Sequence, residues 1–194
     1  MKERKMIIFL LTLSTICVLF LCSADFAYKK AANIFNVRLY KVINNMFDIK
    51  SNDGDTEKIF LENFKIKNVG GETYYISRKI NPGVILFKVK GPGLWSQIEI
   101  LLSVYPDYKK LYGLRVISQN ETPGLGGRIA EIAYQKQFSN KSIIPDLRIV
   151  KFASKPNEVD AVTGATATSD SLQEIINNGI KRVEQVFPKK RTEE

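Results

Sequence analysis

Asp160-Ala161-Val162-Thr163-Gly164-Ala165-Thr166-Ala167-Thr168-Ser169 runs straight into an amphipathic stretch with apolar groups at Leu172, Ile175, Ile176, Ile180, Val183 and Phe187. That spacing, close to 3.6 residues, predicts a helix over 169–187 with one face on a core. Ser171 and Glu174 stand at capping-box spacing, which places the helix start near Ser169. Small residues at Gly164 and Ala165 let the backbone approach a ligand closely. Unpaired N–H groups and the positive end of the helix dipole would point into the threonine-rich loop, a setting that favours a phosphate. The plainer reading is a polar loop capping a surface helix. The loop is not a nucleotide P-loop, because it lacks the Gly-Lys-Ser/Thr ending.

Upstream of this helix the chain is punctuated for strands. Runs at 58–67, 73–78, 84–90, 97–105 and 111–118 are separated by turn signals at Gly70-Gly71, Asn81-Pro82-Gly83, Gly91-Pro92-Gly93 and Pro106-Asp107. A shorter helix is predicted over 128–138 and a further strand over 147–152. Strands in sequence with short turns, followed by helices, predict an α+β domain with a mainly antiparallel sheet and flanking helices.

The N-terminus reads differently. Met6 to Ala24 carries no charged residue, and Lys2, Arg4 and Lys5 precede it. A stretch of this kind approaches the roughly 20 residues needed to span a bilayer. It exceeds the usual signal-peptide core, and Cys22-Ser23-Ala24 is a poor cleavage site, so an uncleaved anchor over 1–24 is expected. Leu21 before Cys22 also argues against a lipoprotein. Flanking lysines and arginines occur on both sides. A long following domain nevertheless translocates largely regardless of charge, which places the body outside the cytoplasm, with the N-terminus inside. Residues 25–55 read as a helical stalk and polar linker, 56–188 as the folded domain and 189–194 as a solvated charged tail.

Composition removes several function classes. The chain has 194 residues and no histidine, and its cysteines, Cys17 and Cys22, both sit in the hydrophobic span. The exposed domain can therefore hold neither a disulfide nor a thiolate metal site, and no Ser-His or Cys-His nucleophile exists. No Ser-x-x-Lys hydrolase arrangement with partners stands out. The net charge of +9 is dispersed, without a nucleic-acid recognition module. A basic surface of this kind suits anionic lipid headgroups or an acidic partner.

Two further clusters carry chemistry. In Glu121-Thr122-Pro123-Gly124-Leu125-Gly126-Gly127, Pro123-Gly124 suits the centre of a type II turn. A tight strand-to-helix connection would explain the glycines. An apolar Leu125 held among them is better explained by a planar apolar ligand. In Gly91-Pro92-Gly93-Leu94-Trp95-Ser96, Trp95 is the single tryptophan. It reads either as a core or interface residue or as an aromatic wall for a ring system.

In this order, Gly93-Leu94-Trp95-Ser96, the 121–127 cluster and Asp160-x-x-Thr163-Gly164-Ala165-Thr166-x-Thr168-Ser169 resemble the extracytoplasmic FMN-binding domain of the Rnf complex G subunit. The C subunit of the sodium-translocating NADH:quinone reductase is a close relative. The resemblance covers most of the chain, including the anchor. It implies that Thr166 carries FMN through a phosphoester installed by a separate FAD-dependent flavin transferase using Mg²⁺. It also implies that Thr163, Thr168 and the backbone at Gly164 and Ala165 hold the phosphate. Trp95, Glu121, Thr122, Gly124 and Leu125 match positions at the flavin. The chain departs from the pattern at Gln119, where histidine is frequent, so no proton-supplying histidine stands there. Thr163 replaces a frequent serine and keeps the hydroxyl.

With no evident base in the sequence to activate a threonine hydroxyl, modification by an external enzyme fits the residues independently. The expectation is an electron-relay subunit, not a complete enzyme, with membrane subunits of the Rnf complex as partners. Such partners, in the family, couple electron flow between ferredoxin and NAD to cation movement. A span without ionisable residues forms no ion path of its own. The quinone-reductase C subunit and a stand-alone tethered flavoprotein serving extracellular acceptors are the alternatives. A flavin-free adaptor is the remaining rival.

Overall fold

The computed structural model describes residues 2–52 and 54–188, and Met1, Asp53 of the linker and the charged tail at 189–194 lie outside the described residues. The chain divides into two units, Met1–Phe60 and Leu61–Glu194.

In the first unit, anchor and stalk are one helix, α1, Lys2–Met46, 45 residues long. It is the one helix among the described residues long and apolar enough to cross a membrane. Thr12, Ser14, Thr15 and Ser23 donate their hydroxyls to carbonyls three residues back, which removes those polar groups from the apolar surface. Asn44 Nδ2 donates to the Thr56 carbonyl at 3.3 Å, and Tyr40 stacks on Phe60 with centroids 4.0 Å apart.

Residues 58–67, expected as one strand, split into α2 (Thr56–Asn63) and β1 (Phe64–Val69). The Asp55 carboxylate accepts the Asn52 N–H at 2.6 Å, and the Thr56 hydroxyl donates to the Asn52 carbonyl, which tightens the turn entering α2. β1 continues into β2 (Glu72–Ser77), β3 (Ile85–Pro92), β4 (Gln97–Val104) and β5 (Leu111–Ser118). These strands form an antiparallel five-stranded sheet in order β1-β2-β3-β4-β5. The expected antiparallel α+β domain is what the chain forms.

The helix expected over 128–138 is instead a broken series. A 3₁₀ turn at Gly126–Ala130, the one-turn helix α3 (Ile132–Gln135) and a second 3₁₀ turn at Lys136–Phe138 follow one another. Glu131, extended at φ −67° and ψ 132°, interrupts the helix and sets the break. The strand expected at 147–152 shortens to β6 (Arg148–Val150). It pairs in parallel with an unanticipated β7 (Glu158–Asp160) that leads into the threonine-rich loop.

The long C-terminal helix, α4, spans Thr166–Val186 and closes one face of the sheet. Leu172, Ile175, Ile176, Ile180 and Val183 are buried with Phe87 and Val89 of β3 and Ile98, Ile100 and Leu102 of β4. Close approach depends on two glycines. A Cβ at Gly91 would lie 2.6 Å from Ile175 Cγ1, and one at Gly179 would lie 2.7 Å from Val89 Cγ2. Arg182 Nη2 donates to the Lys88 carbonyl at 2.9 Å. These contacts fix the helix direction: Ile175 meets the end of β3, so the N-terminus of α4 lies at the β3–β4 turn.

Behind the loop, Glu158 anchors the approach to β7. Its Oε2 accepts the N–H groups of Ser154 and Lys155 at 3.0 and 3.1 Å and the Ser154 hydroxyl at 3.3 Å. These bonds, led by the Ser154 N–H and assisted by the Lys155 charge, hold the Glu158 carboxyl below its ordinary pKa despite burial. A depressed folded-state value means the contribution is complete above the unfolded-state value of about 4.3 and is lost as acid titrates the folded carboxylate. Glu158→Gln is therefore expected to lower the urea midpoint at neutral pH. The gap from the unsubstituted protein should close below about pH 4. A gap constant with pH would exclude an ionised anchor.

Candidate functional site

The three motifs meet at one end of the sheet. Residues 93–96 form the tip of the β3–β4 hairpin, closed by the Gly93 N–H donating to the Ser96 carbonyl at 2.7 Å. β5 leaves the sheet beside it, since Ser118 is opposite Glu99, and delivers the 121–127 loop to the same end. The α4 N-terminus is the third component. All of this follows from strand order and helix direction.

Thr122-Pro123-Gly124-Leu125 forms the turn that Pro-Gly predicts. The Leu125 N–H donates to the Thr122 carbonyl at 3.1 Å, with Gly124 at φ +76°. Gly164 has φ +78°, and a Cβ there would lie 3.1 Å from Leu125 Cδ2, so this leucine rests directly on the threonine-rich loop. Trp95 is 72% exposed, which removes the core reading. Leu94 and Leu125 are also exposed. Apolar side chains held open around an uncapped helix end are an arrangement that folding alone does not require.

α4 starts at Thr166, not near Ser169, and Ala165 caps it without a side-chain hydrogen bond. Ser171 and Glu174 lie inside the helix. Ser169 Oγ accepts the Val162 N–H at 3.2 Å, a local bond that ties the loop to the first turn. The leading N–H groups of α4 have no intrahelical acceptor, and no acidic residue occupies the first turn. Thr163, Gly164 and Thr166 are exposed, whereas Ala165 is buried.

Thr168 is 1% exposed, and its hydroxyl donates to Glu121 Oε2 at 2.6 Å. Glu121 is 4% exposed, so its side chain is buried behind the hairpin tip and the first turn of α4. Its Oε1 accepts the Trp95 N–H at 3.1 Å, and its own N–H donates to Gln119 Oε1 at 2.6 Å. Thr122 is exposed at the turn. Sequence reasoning missed Gly93 and Gly126 as parts of this arrangement. A Cβ at Gly93 would lie 2.5 Å from Glu121 Oε1, and one at Gly126 would lie 2.5 Å from Thr168 Oγ1. No local signal marks such positions, because their partners are distant in sequence.

Behind the loop, Tyr134 is buried, and that burial raises the pKa of its hydroxyl. Among the described residues no cluster of acidic or cysteine side chains could hold a metal ion. The open helix N-terminus, exposed hydroxyls and exposed apolar side chains instead fit a group with a phosphate at one end and a flat apolar ring at the other.

Comparison with known proteins points the same way. Residues 93–181 match the family described as FMN-binding domain. The G subunit of the proton-translocating ferredoxin:NAD(+) oxidoreductase complex of Clostridium ljungdahlii is 30% identical over 132 residues, covering 66% of this chain and 70% of that protein. The C subunit of the Na(+)-translocating NADH-quinone reductase of Yersinia pestis is 34% identical over 101 residues, 48% of this chain and 38% of that protein. The match therefore spans well under half the length of that quinone-reductase protein. The crystal structure of the Parabacteroides distasonis quinone-reductase C subunit superposes with a TM-score of 0.67 over 80% of this chain and 94% of that one, at 20% identity. The Shewanella oneidensis NqrC structure gives 0.64 over 75% and 97%, at 18% identity. Both establish the fold. With the fold, three converging motifs and these relatives in agreement, the chain belongs to the FMN-binding domain family that includes the Rnf-type G and Nqr-type C subunits.

Proposed function

We propose that this protein is the G-type subunit of an Rnf complex, a membrane-anchored electron relay carrying FMN esterified through its phosphate to Thr166. The observation that carries the reading is the exposed Thr166 hydroxyl at the uncapped start of α4, where the Glu121 and Trp95 loops also converge. The leading N–H groups of α4 and the Thr163 hydroxyl would hold the phosphate. Trp95, Leu94 and Leu125 offer apolar surface to the ring. FMN, when bound, supplies reversible electron transfer, and the protein orients and tunes it.

The chain has no histidine, and Thr166 is exposed to an external enzyme, in keeping with modification by a separate FAD-dependent transferase. A covalent tether keeps the local cofactor concentration high for a domain outside the cytoplasm, where a dissociated flavin would be lost. α1 would hold the domain beside membrane subunits that carry the other redox centres, with lipid around the span and the N-terminus cytoplasmic. One test is flavin fluorescence in a denaturing gel, on full-length protein coexpressed with a transferase. A fluorescent band is expected, and a colourless band would overturn the covalent reading. Copurification with an iron–sulfur subunit that oxidises ferredoxin would identify the Rnf assembly. An Nqr-type NADH subunit would favour the quinone-reductase alternative, and purification with no membrane partner the stand-alone flavoprotein.

A further inference from the structure

We infer that Glu121 is a positioning residue whose carboxylate locks the Trp95 hairpin tip to the first turn of α4, presetting the two sides of the cofactor site before flavin arrives. The inference rests on the FMN reading for its purpose, but the lock itself is a property of the chain alone. One carboxylate oxygen takes the Trp95 N–H at 3.1 Å and the other takes the Thr168 hydroxyl at 2.6 Å. Both partners donate, so each carboxylate oxygen accepts one hydrogen bond. The residue is 4% exposed, and a buried polar group that loses its hydrogen bond carries the full cost of its desolvation.

The surroundings are cleared for this carboxylate and for nothing larger. Side chains are absent at Gly93 and Gly126, where a Cβ would lie 2.5 Å from Oε1 and from Thr168 Oγ1 respectively. The Gln119 side chain accepts the Glu121 N–H at 2.6 Å and fixes the backbone from which the carboxylate projects. Asn120 N–H in turn donates to Ser96 Oγ at 3.1 Å, a second link to the hairpin tip. A carboxylate serving only to fill space would need neither two bonded partners on separate elements nor two missing Cβ atoms. Occupying Thr168 also leaves Thr166 as the exposed hydroxyl of the first turn.

Trp95 is the single tryptophan, so its fluorescence reports the hairpin tip in unmodified protein. Full-length protein in detergent, made without a transferase, would be compared with Glu121→Ala, Glu121→Gln, Thr168→Val and Thr168→Ser. Trp95 anisotropy is read without flavin, and FMN affinity by titration. Glu121→Ala is expected to lower the anisotropy and to weaken FMN binding about tenfold or more. Glutamine keeps an acceptor for the Trp95 N–H and sets an amide N–H against Thr168 Oγ1, so it should restore most of both readouts. Thr168→Val should behave like a partial Glu121→Ala, and Thr168→Ser should restore the link. Unchanged anisotropy and affinity in Glu121→Ala, even with a lowered Tm, would overturn the inference. Should Glu121→Ala fail to fold, unchanged readouts in Thr168→Val would do the same. If Glu121→Ala loosens Trp95 while protein coexpressed with a transferase gives a colourless band in the denaturing gel, the lock stands and the flavin reading falls.

Discussion

Thr166→Ala, coexpressed with a flavin transferase, is expected to give a folded protein with no covalent flavin. The effect is all or none, because the substitution deletes the one oxygen through which the phosphoester would form. The cost to the fold should be small. Thr166 is exposed, and alanine is a good helix residue at the first position of α4. The neighbouring hydroxyls are poor substitutes: Thr168 is buried and bonded to Glu121, and Thr163 precedes the helix in the loop. Intact mass and gel fluorescence measure the outcome, with circular dichroism as the control for folding. Flavin retained on the variant would falsify the assignment to Thr166.

Gly93→Ala should produce the second large effect, on stability and cofactor binding together. A Cβ there would lie 2.7 Å from the Ser96 carbonyl oxygen and 2.9 Å from Ile98 Cδ1, besides 2.5 Å from Glu121 Oε1. The glutamate tip could swing away, at the cost of its bonds to Trp95 and Thr168. The Ser96 carbonyl belongs to the backbone of a tight turn, held by the Gly93 N–H at 2.7 Å, and cannot move without opening the hairpin. Overpacking of this kind costs about 1–3 kcal/mol. For a chain of this size that is several degrees of Tm, with FMN affinity expected to fall as the hairpin tip shifts. A variant with unchanged Tm and unchanged FMN binding would show that the turn is looser than its hydrogen bonds indicate.

Legibility from sequence followed interaction range. The apolar stripe from Leu172 to Val183 specified a helix with one buried face, because helical periodicity is written in consecutive residues. Gly and Pro between apolar runs marked the turns of the sheet for the same reason, and the Pro123-Gly124 turn was legible in four residues. The charge-free run before Ala24 declared a helix able to span a bilayer. Boundaries were less secure. The split of 58–67 into α2 and β1, the break at Glu131 and the parallel β6–β7 pair all depend on contacts that no local pattern records.

Local pattern in the chain marked most strands, the two long helices and the residues that bear chemistry: a threonine-rich loop, a glycine-rich turn and a lone tryptophan. Which of them meet, and which are left exposed, depends on the fold. Glu121 and Thr168 are buried and bonded to each other, whereas Thr166 is exposed. The reason is that a side chain's role depends on which donors and acceptors reach it. The partners of Glu121 lie 26 and 47 residues away in the chain, brought together by strand order and by the direction of α4.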